Sequence, residues 1–117
     1  MTMQVHQLNQ YFSYTSQIEV DDFPEIISLG FKTIINHRPD NEGGSEQPTS
    51  EALEAAALSN GLTYVHIPVI PNQIESHQVA KFSEVYANAP KPILGFCKTG
   101  NRAMTMCKLA LENHGRP

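Results

Sequence analysis

Cysteine is scarce in this chain, with only Cys97 and Cys107 among 117 residues. Two thiols make no disulfide framework, and a reducing compartment keeps both free. Long apolar runs are missing too, so no stretch approaches the length of a membrane span. The opening Met1-Thr2-Met3-Gln4-Val5-His6-Gln7 is polar. It lacks the basic start and the apolar run of a secretion signal, which makes the cytoplasm the expected location. Basic charge is short, with eight Lys and Arg against twelve Asp and Glu and a net charge of −4. That balance gives no broad basic face for nucleic acid, and an anionic ligand must be drawn in by a local site. The five histidines show no ligand spacing such as HExxH, so neither a metal nor a cofactor is expected. Gly43-Gly44 lacks the lysine and the spacing of a phosphate-binding P-loop and reads as a flexible surface turn. Repeats, low-complexity tracts and long linkers are also absent.

What is present suits one domain over 1–117: at 40% hydrophobic, the chain is long enough to bury a core without staples. Phe12-Ser13-Tyr14-Thr15-Ser16 has the residue types of a short strand. Asp21 or Asp22 can cap a helix with Phe23, Ile26, Ile27 and Leu29 as its apolar stripe and Gly30 as its stop. Lys32-Thr33-Ile34-Ile35-Asn36 reads as a buried strand, followed by a loop from Arg38 to Ser45. Thr49 or Ser50 caps a second helix that runs to about Asn60, with Gly61 beyond it. Leu62 to Val69 is a third strand, and Pro68 marks it as ending or lying at an edge. Val79, Phe82, Val85 and Tyr86 lie on one face of a third helix, which Pro90 and Pro92 break. Ile93 to Phe96 is the most apolar strand, and a last helix starts near Arg102 with Met104, Cys107 and Leu111 along one side. The alternation predicts a three-layer α/β domain with a mainly parallel central sheet of about four to five strands and right-handed crossovers. Ligands in such sheets bind beyond the carboxyl ends of the strands, where Cys97, the Arg38 loop and the loop after Val69 gather.

The richest segment is Cys97-Lys98-Thr99-Gly100-Asn101-Arg102, a loop between the apolar strand and the last helix. Backbone N–H groups at a helix start point outward and favour negative charge. Free cysteine has a pKa of about 8.5, which helix starts and nearby cations lower to roughly 3.5–7.5. Cys97 is thus read as an ionised nucleophile. Lys98, Thr99, Gly100, Asn101 and Arg102 are read as its anion-binding loop. Cys107, on the inward side of the last helix, reads as a small hydrophobe rather than a resolving thiol.

This loop resembles the phosphatase-like domain of the beta-lactamase-hydrolase-like proteins. So do Phe31 to Asp40, Gly61 to Val69 and Ile93 to Cys97, in one order, and the likeness runs from about Tyr11 to Asn113. The resemblance implies a dual-specificity- or tyrosine-phosphatase-like fold, a Cys97 nucleophile, an Arg102 anion clamp and a bacterial setting. It also links the domain to both phosphatase-type and sulfur-transfer chemistry and to association with sulfide-metabolism proteins. Three departures from the tyrosine-phosphatase pattern stand out. Four residues rather than five separate Cys97 from Arg102, as in the loop of rhodanese-type sulfurtransferases. Ala103 replaces the Ser or Thr that usually follows the Arg. The stretch from Pro68 to His77, where the acid loop is expected, holds only Glu75 as an acid.

Two anionic substrate classes fit these residues. In sulfur transfer, Cys97 attacks thiosulfate or a low-molecular-weight persulfide and becomes a persulfide, and the leaving group departs without a general acid. This is the leading expectation. In phosphoryl transfer, Cys97 becomes a phosphocysteine while Arg102 and the loop N–H groups hold the oxygens. A general acid then adds roughly 10²–10⁴-fold. Asp40 is the expected acid, with Glu42 and Glu75 as weaker candidates. A third reading is a catalytically inactive module that binds phosphate or sulfate. Arg38 and His66 are candidate pocket-lining residues.

Overall fold

The strand Ile93–Phe96 has no polar face because it occupies the centre of the sheet. The computed structural model describes residues 3–114. The ends of the expected 1–117 domain, 1–2 and 115–117, lie outside the described residues. Among the described residues, five strands run in the chain order β1 (His6–Gln7), β2 (Phe12–Thr15), β3 (Thr33–Asn36), β4 (Thr63–His66) and β5 (Ile93–Phe96). Four α-helices accompany them: α1 (Phe23–Ser28), α2 (Ser50–Ser59), α3 (Ser76–Asn88) and α4 (Asn101–His114). The sheet order is β1-β2-β5-β3-β4, antiparallel only between β1 and β2. The short β1 has no counterpart in the sequence reading, and its two residues are both exposed.

Successive residues of the central strands feed opposite layers, as the pleat requires. Phe12, Ile35 and Ile93 pack with Phe82 of α3 and with Met106 and Cys107 of α4. Ile34, Leu94 and Phe96 pack with Phe23 and Ile26 of α1 and with Leu53 and Ala57 of α2. Each fully buried Leu, Ile or Phe contributes about 1.5–3 kcal/mol, so this double-sided core dominates the stability. Gly95 is required where it stands: a Cβ there would lie 2.7 Å from Cζ of Phe12 and 3.4 Å from Cβ of Ala103.

Local signals set the boundaries. Thr49 caps α2, its Oγ1 accepting from the Ala52 N–H at 3.1 Å. Gly61 turns the chain out of that helix at φ +78°. In α3, Glu75 and Gln78 form a reciprocal cap. The third strand is shorter than expected. It ends at His66, two residues before Pro68, and lies at the sheet edge.

Two helix stripes differ from expectation. In α1, Phe23 and Ile26 are buried but Ile27 and Leu29 are exposed, because the helix lasts only six residues and Leu29 already lies past its end. In α4 the buried face is Ala103, Met106, Cys107 and Ala110, whereas Met104 is half-buried and Leu111 exposed. Ala103 meets the sheet where α4 passes close to β5, its Cβ 3.4 Å from the place a Cβ on Gly95 would take. Among the described residues, no helix is long and apolar enough to cross a membrane.

Candidate active site

Cys97 follows the last residue of β5, so the central position of that strand puts the sulfur at the middle of the sheet's carboxyl edge. The chain segments leaving β2 and β3 flank it. The Gln17 N–H donates to the Lys98 carbonyl at 3.4 Å, and the His37 N–H donates to the Phe96 carbonyl at 2.9 Å. The loop folds back on the thiol. Two backbone N–H groups donate to Cys97 Sγ, from Gly100 at 3.1 Å and from Arg102 at 3.3 Å. Gly100 makes this possible with φ +96°, and a Cβ there would press to 3.2 Å from the Thr15 carbonyl oxygen. Thr99 Oγ1 accepts from the Asn101 N–H at 3.3 Å and steadies the start of α4. Lys98, Thr99 and Asn101 are exposed, while Cys97, Gly100 and Arg102 are buried.

Arg102 carries a guanidinium held from two directions. Nη1 donates to the Val69 carbonyl at 2.9 Å and to Glu42 Oε2 at 2.8 Å, and Nη2 donates to Glu42 Oε1 at 2.8 Å. Burial opposes its charge, but the Glu42 bonds and the Cys97 sulfur outweigh burial and raise its pKa. The same Glu42 Oε1 accepts from Arg38 Nε at 2.9 Å. Arg38 Nη1 donates to Gln17 Oε1 at 2.9 Å, so both guanidinium groups have a neutral anchor behind and one shared carboxylate in front. Hydrogen bonds from Arg102 hold Glu42 below the ordinary carboxylate range; burial works the other way and is overcome.

The remaining expected residues fall into place around this pair. Arg38 is buried, and its backbone is fixed by Asn36 Oδ1, which accepts from the Arg38 N–H at 2.8 Å. His66 is half-buried and supports Arg38: its Nε2–H donates to the Arg38 carbonyl at 2.9 Å. Asp40, the acid expected over the thiol, is exposed, and its Oδ1 accepts from the Ser50 N–H at 2.8 Å at the start of α2. Glu75 faces the exposed His77 at 2.6 Å. Cys107 lies inside the core, where burial pushes its thiol up to about 12, and this makes it an unreactive hydrophobe.

Gln17, Asn36 and the Val69 carbonyl also serve the site and were not singled out from the sequence. The rule that ligands gather beyond strand ends points to all three, since each ends or follows a strand beside β5 or closes the next loop. His37 is another addition. It stands beside Cys97 in strand register, its Nδ1–H donates to the Ile67 carbonyl at 3.0 Å, and its Nε2 has no partner. Burial lowers its pKa to about 4, with the Arg102 charge adding to the effect, and this leaves it neutral against the ring of Phe82.

The chain matches the family described as "Beta-lactamase hydrolase-like protein, phosphatase-like domain" over residues 4–113. A beta-lactamase hydrolase-like protein of Agrobacterium fabrum is 34% identical over 114 residues, which cover 97% of this chain and 26% of that protein. The chain therefore spans about a quarter of the length of such curated relatives. Among solved structures, a candidate phosphatase from Neisseria meningitidis superposes with a TM-score of 0.87 at 30% identity, over 99% of this chain and 82% of that one. The core catalytic domain of a PP-IP phosphatase from S. cerevisiae shares the fold, with a TM-score of 0.71 at 21% identity over 93% of this chain and 66% of that one. These likenesses favour the phosphatase side of the expected alternatives and lend the sulfurtransferase expectation no support. The match over nearly the whole chain places it in a named family: this protein belongs to the phosphatase-like domain family of the beta-lactamase hydrolase-like proteins.

Proposed function

We propose that this domain is a cysteine-dependent phosphatase acting on phosphate compounds with good leaving groups. The observation that carries this reading is the pair of N–H donors from Gly100 and Arg102 on Cys97 Sγ, at 3.1 and 3.3 Å. Both donors are aimed at the sulfur that would carry the phosphoryl group, as an anion-binding loop requires. The adjoining guanidinium of Arg102 suits the equatorial oxygens of a transferring phosphoryl group.

In the proposed reaction, Cys97 Sγ forms a bond to phosphorus as the bond from phosphorus to the leaving oxygen breaks. That oxygen takes a proton from water, or departs as a stable anion. Water then attacks the phosphocysteine, the S–P bond breaks, and inorganic phosphate and the Cys97 thiolate are released. The environment of the carboxyl groups sets the substrate class. Asp40 is engaged at the start of α2, and Glu42 is held as a carboxylate by Arg102. A carboxylate that starts ionised, whether or not Arg102 still holds it, has no proton to give the leaving group at neutral pH. An aryl phosphate or an anhydride, whose leaving group tolerates departure as an anion, suits such a site better than an alkyl ester.

The test is a side-by-side assay of the protein with an aryl phosphate, an alkyl phosphate, and thiosulfate plus an acceptor thiol, repeated with Cys97→Ser. The expected result is aryl phosphate hydrolysis that disappears in the variant, with the alkyl ester turned over at least about 10²-fold more slowly for want of a general acid. A Cys97-dependent sulfur transfer outpacing phosphate release would reverse the assignment.

A further inference from the structure

We propose that Glu42 is an internal stand-in for the substrate anion, and that Arg38 joins Arg102 as a two-guanidinium clamp for a dianionic oxyanion once Glu42 is displaced. The inference deepens the phosphatase reading and rests on its anion site, adding a second binding residue and an exchange step.

The geometry around Glu42 supplies the argument. Its carboxylate makes three charge-assisted bonds, at 2.8, 2.8 and 2.9 Å, and bridges two side chains that are 8% and 10% exposed. Two cations buried this deeply and sharing a partner need an anion between them. Glu42 itself belongs to an exposed loop, Asn41 to Glu46, whereas both arginines have anchors that do not involve that loop. Arg102 keeps its bond to the Val69 carbonyl, and Arg38 keeps Gln17 Oε1 and the support of Asn36 and His66. The clamp can therefore hold its shape when the carboxylate leaves. The loop is built to approach closely and without bulk: a Cβ on Gly43 would lie 2.5 Å from Arg38 Nη2.

Charge decides which ligands can exchange. Glu42 offers one negative charge to two positive ones, so an incoming monoanion gains nothing over it. A dianion such as hydrogen phosphate matches both guanidinium groups and offers more oxygens for the five-donor forks. The exchange then selects doubly charged oxyanions and rejects carboxylates and other singly charged competitors.

The experiment measures the affinity of inorganic phosphate and of acetate for the full chain carrying Cys97→Ser, with and without Glu42→Gln, at neutral pH. Removing the competing carboxylate is expected to tighten phosphate binding by about tenfold, roughly one charge-assisted hydrogen bond. Adding Arg38→Gln is expected to abolish that gain. Equal or weaker phosphate binding by Glu42→Gln would overturn the proposal and leave Glu42 as a residue that merely positions Arg102. Should the Glu42 variant fail to fold, amide exchange of the chain with native Glu42 replaces it. Faster exchange at Gly43 and Gly44 on phosphate addition supports displacement, and unchanged or slower exchange refutes it. The outcomes separate this inference from the hydrolase reading: a gain in affinity without Cys97-dependent hydrolysis leaves the clamp standing, and hydrolysis without the gain leaves only the enzyme.

Discussion

At the scale of single residues, the thiol and the histidine beside it show how burial sorts chemistry. Cys97 and Cys107 share a helix and its approach, yet backbone donors meet one sulfur and hydrocarbon surrounds the other. His37 is the buried titratable group with the clearest energetic consequence. Its pKa falls from 6.5 to about 4, so between these values the unfolded chain binds a proton that the native protein refuses. Stability then falls as the pH drops through that window, by about 3 kcal/mol for a shift of this size. Replacing His37 with Leu removes the effect. Denaturant titrations at pH 6.5 and pH 4 should show the variant losing about 3 kcal/mol less than the parent. Parallel losses in the two proteins would mean that His37 is charged in the native state. The residue scale is also where the sequence was hardest to read. Arg38 and Arg102 stood out from their motifs, but nothing in the order of residues says that Glu42 rather than Asp40 faces Arg102. Asp40 is two residues closer to β3 along the chain, and the need of α2 for an N-terminal acceptor claims it.

At the scale of elements, the strands and long helices followed from composition and periodicity. Ile93–Phe96 is the most apolar strand in the sequence and is buried at all its positions, and α2 lies between the expected cap at Thr49 or Ser50 and the stop at Gly61, with Thr49 making the cap. Failures came where tertiary contact overrides periodicity. Met104 and Leu111 look like the buried stripe of α4, but the face turned inward is Ala103, Met106, Cys107 and Ala110, and at Ala103 the helix comes close to Gly95 of β5. That close approach is testable through Gly95. Substitution by Ala places a methyl group against Phe12 at a distance that packed carbon atoms do not tolerate. Gly95→Ala should therefore lose about 1–3 kcal/mol, read as a lower melting temperature. An unchanged melting temperature would show that Phe12 has room to move. β1 escaped notice for a different reason: a two-residue exposed strand has no hydrophobic pattern to announce it.

At the scale of the whole molecule, the site is part of the core and not an attachment to it. The thiol and its two donors sit on the passage from β5 to α4, and Arg38 sits on the exit from β3, which pairs with β5. Such central strands belong to the last part of a domain to open, whereas exposed loops open first. Heating should accordingly leave the proposed aryl phosphatase activity intact until the fold itself gives way. Residual activity and the circular dichroism melt, recorded over the same temperatures, should fall together within a few degrees. Inactivation well below the melt would place the weak point in the Glu42 loop.

The position of β5 also has a consequence for biosynthesis. β2 and β3 emerge from the ribosome long before residue 93, but in the finished sheet they meet only through β5. Until that strand is translated and slots between them, the parallel sheet has a gap where its middle should be. Closing the sheet and delivering Cys97 are thus one event, and no nascent intermediate has the completed sheet without that sulfur at its carboxyl edge.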